Sequence, residues 1–143
     1  VQILREVRRV LKPGGHCWFT EVDNSTFRAA PDPTGLIARV LKALNDRQQQ
    51  GGGDPYVGPK LRGFLEQAGF ARVETRPLKL HGSNEDPVFF QGFIDEFAEI
   101  FESLDEALPA MKQEAERAAT ELRALPSNNG TMDYCANTAL GFR

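Results

Sequence analysis

Two carboxylates at the end of a hydrophobic run are the side chains of this sequence best suited to chemistry. Glu21 and Asp23 close the run that begins at Cys17, which we predict to be a buried strand. In open α/β sheets a ligand binds in the crevice at the carboxyl ends of the strands, so both side chains could orient a substrate or accept a proton there. The alternative is structural: the two residues end the strand and cap the loop that starts at Asn24-Ser25.

The histidines and cysteines are weaker candidates. His16 and His81 are the only two histidines. We expect each of them on the surface at a strand end rather than as a base, since no serine or cysteine nucleophile accompanies either. Cys17 and Cys135 lack the spacing of metal ligands, and the sequence predicts no metal site. We expect both thiols to be reduced, buried and structural, as in a cytoplasmic protein.

The elements that must hold these residues begin with a helix and a strand. Apolar residues at helical spacing predict a helix, and the Lys-Pro-Gly-Gly sequence at residues 12–15 ends it because proline cannot continue the hydrogen-bond ladder. The dense hydrophobic run at residues 16–22 predicts a strand covered on both faces. Helix, tight turn and buried strand make up half of a βαβ unit. The predicted apolar face of the helix consists of Ile3, Leu4, Val7, Val10 and Leu11.

Two more helices and a strand are predicted in the middle of the chain. Asp32 is well placed to cap the first helix, and Gly69-Phe70 ends the second as a glycine stop. Residues 71–81 then alternate as a strand. Pro77 and a slip in the alternation beyond it indicate an edge strand with a bulge. The apolar positions of the two helices are Leu36, Ile37, Val40, Leu41 and Leu44, and then Leu61, Phe64, Leu65 and Ala68.

The C-terminal part predicts two long helices and a last strand. Apolar residues at spacings of three and four extend from residue 88 to residue 125, and Pro109 divides this segment because proline breaks a helix interior. Residues 131–142 form the last strand, where Ala139 and Gly141 are small, as if another side chain packs close to them. The two apolar stripes are Phe90, Phe93, Ile94, Phe97, Ile100, Phe101 and Leu104, and then Leu108, Met111, Ala115, Ala118, Leu122 and Leu125.

Length and charge limit what the chain can be. Its 143 residues, 41% of them hydrophobic, favour a single domain at 1–143, made of core units (1–87), a helical segment (88–125) and a final strand (126–143). The net charge of −3 gives no basic field for nucleic acid, and no apolar segment is long enough to predict a membrane span. Of the 20 acidic residues, 11 lie between positions 85 and 121, which we interpret as a solvated helical face.

Two segments resemble the C-terminal half of a class I S-adenosylmethionine-dependent methyltransferase. They are EVRRVLKPGGHCWFTEVD (6–23) and DPYVGPKLRGFLEQAGFARVETRPLKL (54–80). In that family a Leu-Lys-Pro-Gly-Gly turn leads into the fifth strand of the sheet, an Ala-Gly-Phe stop leads into the sixth, and an antiparallel seventh strand lies between them. The resemblance implies an α/β fold: a partial Rossmann-like methyltransferase sheet of about three strands, mixed, with the last strand antiparallel, and a helical insertion at 88–125.

The resemblance also implies an acceptor-substrate site without a cofactor site. Glu21, Asp23, Phe27 and the helix start near Phe89 would line the side that holds a small-molecule methyl acceptor. The family's glycine-rich cofactor loop follows its first strand, whereas the glycine cluster of this sequence, at residues 51–53, follows a predicted helix and is interpreted as a linker. We therefore expect no tight binding of S-adenosylmethionine by this chain alone.

Two functions of different class stay open. One is the acceptor-binding half of a methyltransferase, active only with an N-terminal half. We expect that this N-terminal half is missing here, which would explain a chain that starts at Val1. The other is a non-catalytic dimeric module that binds a partner through its helical layer. A third interpretation, an unrelated α/β enzyme, is not supported, because the sequence shows no pattern of a nucleophile, a metal site or a phosphate loop. The strand at 16–23 would have an open edge beside Trp18, so we expect a cytoplasmic homodimer that buries either this edge or the phenylalanine-rich helices.

Overall fold

The computed structural model describes residues 1–104 and 109–143, and within them the chain is an α/β protein with five α-helices and three β-strands. The helices are α1 (Gln2–Val10), α2 (Leu36–Gln50), α3 (Leu61–Gln67), α4 (Pro87–Glu102) and α5 (Lys112–Arg123). The strands are β1 (His16–Ala30), β2 (Arg72–Gly82) and β3 (Thr131–Phe142). Leu108, which the sequence assigned to the second apolar stripe, lies outside the described residues.

The strand order is β1-β3-β2, so the last strand of the chain lies between the first two. The backbone N–H of Ala71 donates to the carbonyl of Phe142, and the N–H of Arg143 donates to the carbonyl of Gly15, each over 2.9 Å. The central position of β3 and the edge position of β2 are as predicted. The sheet is antiparallel rather than mixed, because β1 and β2 pair only with β3 and both run antiparallel to it.

Strand β1 is longer and more exposed than predicted. It continues to Ala30 instead of ending at Asp23, because residues beyond Asn24-Ser25 keep an alternating pattern, with Phe27 buried. The prediction that residues 16–22 are covered on both faces is wrong, since the side chain of Trp18 is 66% exposed. Alternating burial of this kind is typical of an antiparallel strand with one solvated face.

The chain divides into two compact units, and the division falls within all three strands. Unit 1 comprises residues 1–25, 56–79 and 135–143, and unit 2 comprises residues 26–55 and 80–134. Charge is distributed unequally between them. Unit 1 contains ten Lys or Arg and five Asp or Glu residues, a net charge of +5, whereas unit 2 contains seven and fifteen, a net charge of −8. The overall charge of −3 is therefore the sum of a positive net charge on unit 1 and a larger negative net charge on unit 2.

The core of unit 1 forms where α1 and α3 pack beside the strands. Gly69, at a φ of +88°, ends the segment after α3 in a left-handed conformation that glycine adopts without strain. The next residue, Phe70, is buried against Gly141, where an added Cβ would lie 2.8 Å from Cδ1 of Phe70. The Ala-Gly-Phe stop and the small residues of the last strand, both predicted from the sequence, are therefore in contact through Phe70 and Gly141. The core residues are Leu61, Leu65, Ala68, Phe70 and Ala139, with Leu4, Val7, Leu11, Cys17, Phe19 and Val73 against them.

The apolar face predicted for α1 is only partly correct. Leu4, Val7 and Leu11 pack against the core of unit 1, but Ile3 and Val10 are 79% and 64% exposed. Ile3 and Val10 lie roughly 70–95° around the helix from the middle of the packed stripe. A short helix on a small core buries only a narrow stripe, so the two outer positions stay in solvent.

The core of unit 2 is built from α2, α4 and α5. The phenylalanine stripe of α4 is buried as predicted, and Pro109 begins a 3-10 turn ahead of α5, in keeping with the predicted break. Helix α2 begins at Leu36 with Gly35 at the N-cap, three residues later than predicted, but Asp32 still satisfies first-turn groups by accepting hydrogen bonds from the backbone N–H of Ile37 (3.3 Å) and of Ala38 (3.0 Å). The buried phenylalanines of α4 are Phe90, Phe93, Phe97 and Phe101.

Candidate functional site

The carboxylates Glu21 and Asp23 lie in the middle of β1 and not at its carboxyl end. The prediction that the strand ends at these two carboxylates is therefore wrong. Oδ1 of Asp23 accepts a hydrogen bond from the backbone N–H of Ser25 over 3.0 Å and from its hydroxyl over 2.6 Å. Asp23 is only 8% exposed. Its carboxylate thus stabilises the local chain, which is the structural alternative, while Glu21 is exposed.

Phe27 and Phe89, the other two residues predicted to line the substrate, lie in unit 2 with different exposure. Phe27 is buried, and its ring centroid lies 4.4 Å from that of Phe97. Phe89 is 39% exposed at the start of α4, and its ring lies 5.7 Å from that of Phe93. Phe93 in turn lies 5.6 Å from Phe97. Phe27 packs in the core and Phe89 is accessible, and the substrate-lining role of both stays a prediction.

His81 has a partner that no local sequence pattern predicts. At the end of β2, its Nδ1 lies 2.7 Å from Oδ1 of Asp133 on β3, and both side chains are about half exposed. His16 begins β1, exposed as predicted, with its ring 5.7 Å from that of Phe142. The pair follows from the antiparallel register in the structure, since residue 71 lies opposite residue 142 and residue 81 therefore lies close to residue 133.

A polar groove surrounds His81 within unit 2. Its volume is about 390 Å³, which falls in the range of small-molecule sites, roughly 300–1,000 Å³. The walls come from the end of β2, the turn before α4 and the turn before β3. The lining residues are His81, Ser83, Asn84, Glu85, Asn129, Gly130 and Thr131.

A smaller groove lies on the sheet surface of unit 1. It has a volume of about 140 Å³ and is lined by Trp18, Glu74, Arg76, Thr138 and Leu140. The indole N–H of Trp18 donates to the hydroxyl of Thr20 over 3.0 Å, so its polar atom is satisfied while its ring stays in solvent.

Cys17 and Cys135 are free thiols, as predicted, although both are half-buried rather than buried. Burial raises the pKa of the Cys17 thiol, which keeps it protonated near neutral pH. Within the described residues no group of three or more His, Cys, Asp or Glu side chains is arranged to hold a metal ion. In the same part of the chain, no helix has the length and apolar character needed to cross a bilayer.

Comparison with known proteins gave no match: no protein-family model fits the sequence, and none of the curated proteins is significantly similar to it.

Proposed function

We propose that this chain is the acceptor-binding half of a class I S-adenosylmethionine-dependent methyltransferase that acts on a small molecule. The observation that carries the proposal is the strand order β1-β3-β2. Sequential strands are neighbours in roughly two-thirds of cases, so a last strand inserted between the first two is the less common arrangement. It is the arrangement that the resemblance implies for the fifth, seventh and sixth strands of the family.

Both resembling segments have structural roles that support the proposal. The Lys-Pro-Gly-Gly turn at residues 12–15 separates α1 from β1. The Ala-Gly-Phe stop follows α3, and its Phe70 packs on Gly141 of β3. The two segments and the last strand therefore contribute to one core, that of unit 1.

We assign the cofactor to an N-terminal half rather than to this chain. The glycine cluster at residues 51–53 follows α2, whereas a cofactor loop of this kind follows a strand and opens a helix. In the proposed enzyme this chain holds the methyl acceptor. Methyl transfer depends mainly on proximity and orientation, so the acceptor half contributes by positioning.

The test compares this chain with a version extended by the coding sequence directly upstream of it. Isothermal titration calorimetry with S-adenosylmethionine is expected to show no tight binding to the 143-residue chain. The extended protein is expected to bind in the low micromolar range and to contain a glycine-rich strand-loop-helix segment. Low-micromolar binding by the short chain, or an upstream sequence without such a segment, would refute the proposal.

A second function, a dimeric binding module, is favoured by one specific feature. In the described part of the chain β1 is an outer strand of the three-stranded sheet, and the exposed Trp18 lies on that strand. The phenylalanines of α4 are buried in unit 2, so of the two predicted dimer surfaces we retain the edge of β1 and not the helices. The proposed location for either function is the cytoplasm, where free thiols such as Cys17 and Cys135 stay reduced.

A further inference from the structure

The groove around His81 is lined without any purely hydrocarbon side chain. Its walls present one imidazole, one carboxylate, two hydroxyl groups and two amide groups, together with a glycine. Such a lining offers hydrogen-bond partners to a small polar ligand, and the side chains of His81, Asn84, Glu85 and Asn129 are exposed and therefore accessible to it.

The contact with Asp133 determines which ring nitrogen of His81 can accept a hydrogen bond from a ligand. An ionised carboxylate only accepts hydrogen bonds, so Nδ1 of His81 carries the proton that lies between the two side chains over 2.7 Å. In the neutral ring Nε2 is then an acceptor. Nε2 makes no hydrogen bond within the described part of the chain, which leaves its lone pair for a donor from outside the protein.

The walls of the groove are tied together. The side-chain amide of Asn84 donates to the carbonyl of Pro126 over 2.9 Å, which connects the turn before α4 to the turn before β3. At Gly130 an added Cβ would lie 2.7 Å from the carbonyl oxygen of Ala30, and the N–H of Gly130 donates to the carbonyl of Leu125 over 2.7 Å. The two turns are therefore held in place before any ligand arrives.

The charges of unit 2 select the sign of the ligand. Glu85 lines the groove, Asp133 stands behind His81, and the unit as a whole has a net charge of −8. An anion would be repelled, whereas an ammonium group gains from the field and donates to both the imidazole and the carboxylate.

We propose that this groove binds a small protonated amine that also carries a hydroxyl group, with Nε2 of His81 and the carboxylate of Glu85 as the acceptors of the ammonium protons. The hydroxyl groups of Ser83 and Thr131 are the partners of the ligand hydroxyl. The inference does not depend on the methyltransferase proposal, because every residue involved lies in unit 2 and outside the two resembling segments.

The probe is ethanolamine, titrated into the full chain at pH 7.5 and constant ionic strength while NMR signals of the His81 ring and of the Gly130 and Thr131 amides are followed. Ethylene glycol, which has hydroxyl groups and no charge, and acetate, which has a negative charge, serve as control probes. We expect a saturable response confined to the groove with ethanolamine, and no saturation with the other two.

Variants separate the groove from general attraction to an acidic surface. His81→Gln and Glu85→Gln should each weaken ethanolamine binding by about tenfold, the effect of losing one hydrogen bond to a charged group. His16→Gln, the only other histidine and located in unit 1, should bind as the unchanged chain does. A response that never saturates, one that acetate reproduces, or unchanged binding by His81→Gln in a well-dispersed spectrum would overturn the proposal.

Discussion

Replacing Gly141 with alanine tests the contact that joins the Ala-Gly-Phe stop to the last strand. The new Cβ would lie 2.8 Å from Cδ1 of Phe70 and 3.2 Å from two further ring atoms. Phe70 cannot move away easily, because it is only 5% exposed and belongs to the core of unit 1. Overpacking of this kind costs about 1–3 kcal/mol, so Gly141→Ala should lower the free energy of unfolding by that amount.

Equilibrium urea unfolding, followed by circular dichroism, measures the change. Gly63→Ala is the matched control, since the same substitution in α3 meets no atom within 4 Å and should stabilise the helix by about 0.5–1 kcal/mol. In a Phe70→Leu background the smaller side chain relieves the clash, so Gly141→Ala should cost less there by about 1 kcal/mol. If Gly141→Ala were as stable as the parent chain, the packing of Phe70 on β3 would be wrong.

Three further outcomes follow from individual side chains. Asp23→Ala should destabilise the protein by about 1–3 kcal/mol in urea unfolding, since the part-buried N–H and hydroxyl of Ser25 would lose a charged acceptor, whereas Glu21→Ala should stay within about 0.5 kcal/mol; equal effects would contradict the local role of Asp23. Cys17 should react slowly with iodoacetamide at pH 7 in a Cys135→Ser variant and faster as the pH rises above the usual range of a cysteine, because its pKa is raised. In sedimentation equilibrium at tens of micromolar, the chain should have twice its 15.9 kDa mass. Trp18→Ser should reduce that mass while Leu78→Ser, on the other edge strand, should not.

Element order was largely predictable because each signal is local. The proline and glycine turn at residues 12–15, the cap at Asp32 and the break at Pro109 act through the backbone of a few neighbouring residues. The bounds of the last strand, 131–142, agree with the structure, and a Gly-containing turn marks its start. The central position of this strand followed from the resemblance and not from any local signal.

The errors concern information that a local pattern does not contain. Asn24-Ser25 has the composition of a loop, yet a hydrogen bond from Ser25 to Asp23 satisfies the polar groups while the chain stays extended. Whether the second face of β1 is covered depends on elements distant in sequence, so Trp18 could not be assigned to solvent from its run of hydrophobic neighbours. The pair of His81 and Asp133 depends on the register between two strands that lie far apart in the sequence, and predicting each strand separately does not fix that register.

The residues that carry the resemblance have structural roles, and the most available reactive group lies elsewhere. The turn at 12–15 ends α1, Phe70 packs in the core of unit 1, and Asp23 accepts a hydrogen bond from the backbone N–H of Ser25. The imidazole with a free acceptor nitrogen, that of His81, belongs to the other unit and to neither segment. Methyl transfer can proceed by positioning alone, so a completed enzyme would not need this imidazole. A His81→Gln variant of the upstream-extended protein should therefore still bind S-adenosylmethionine as tightly as its parent, even though it loses ethanolamine. Loss of both by one substitution would mean that the groove around His81 and the cofactor site are coupled.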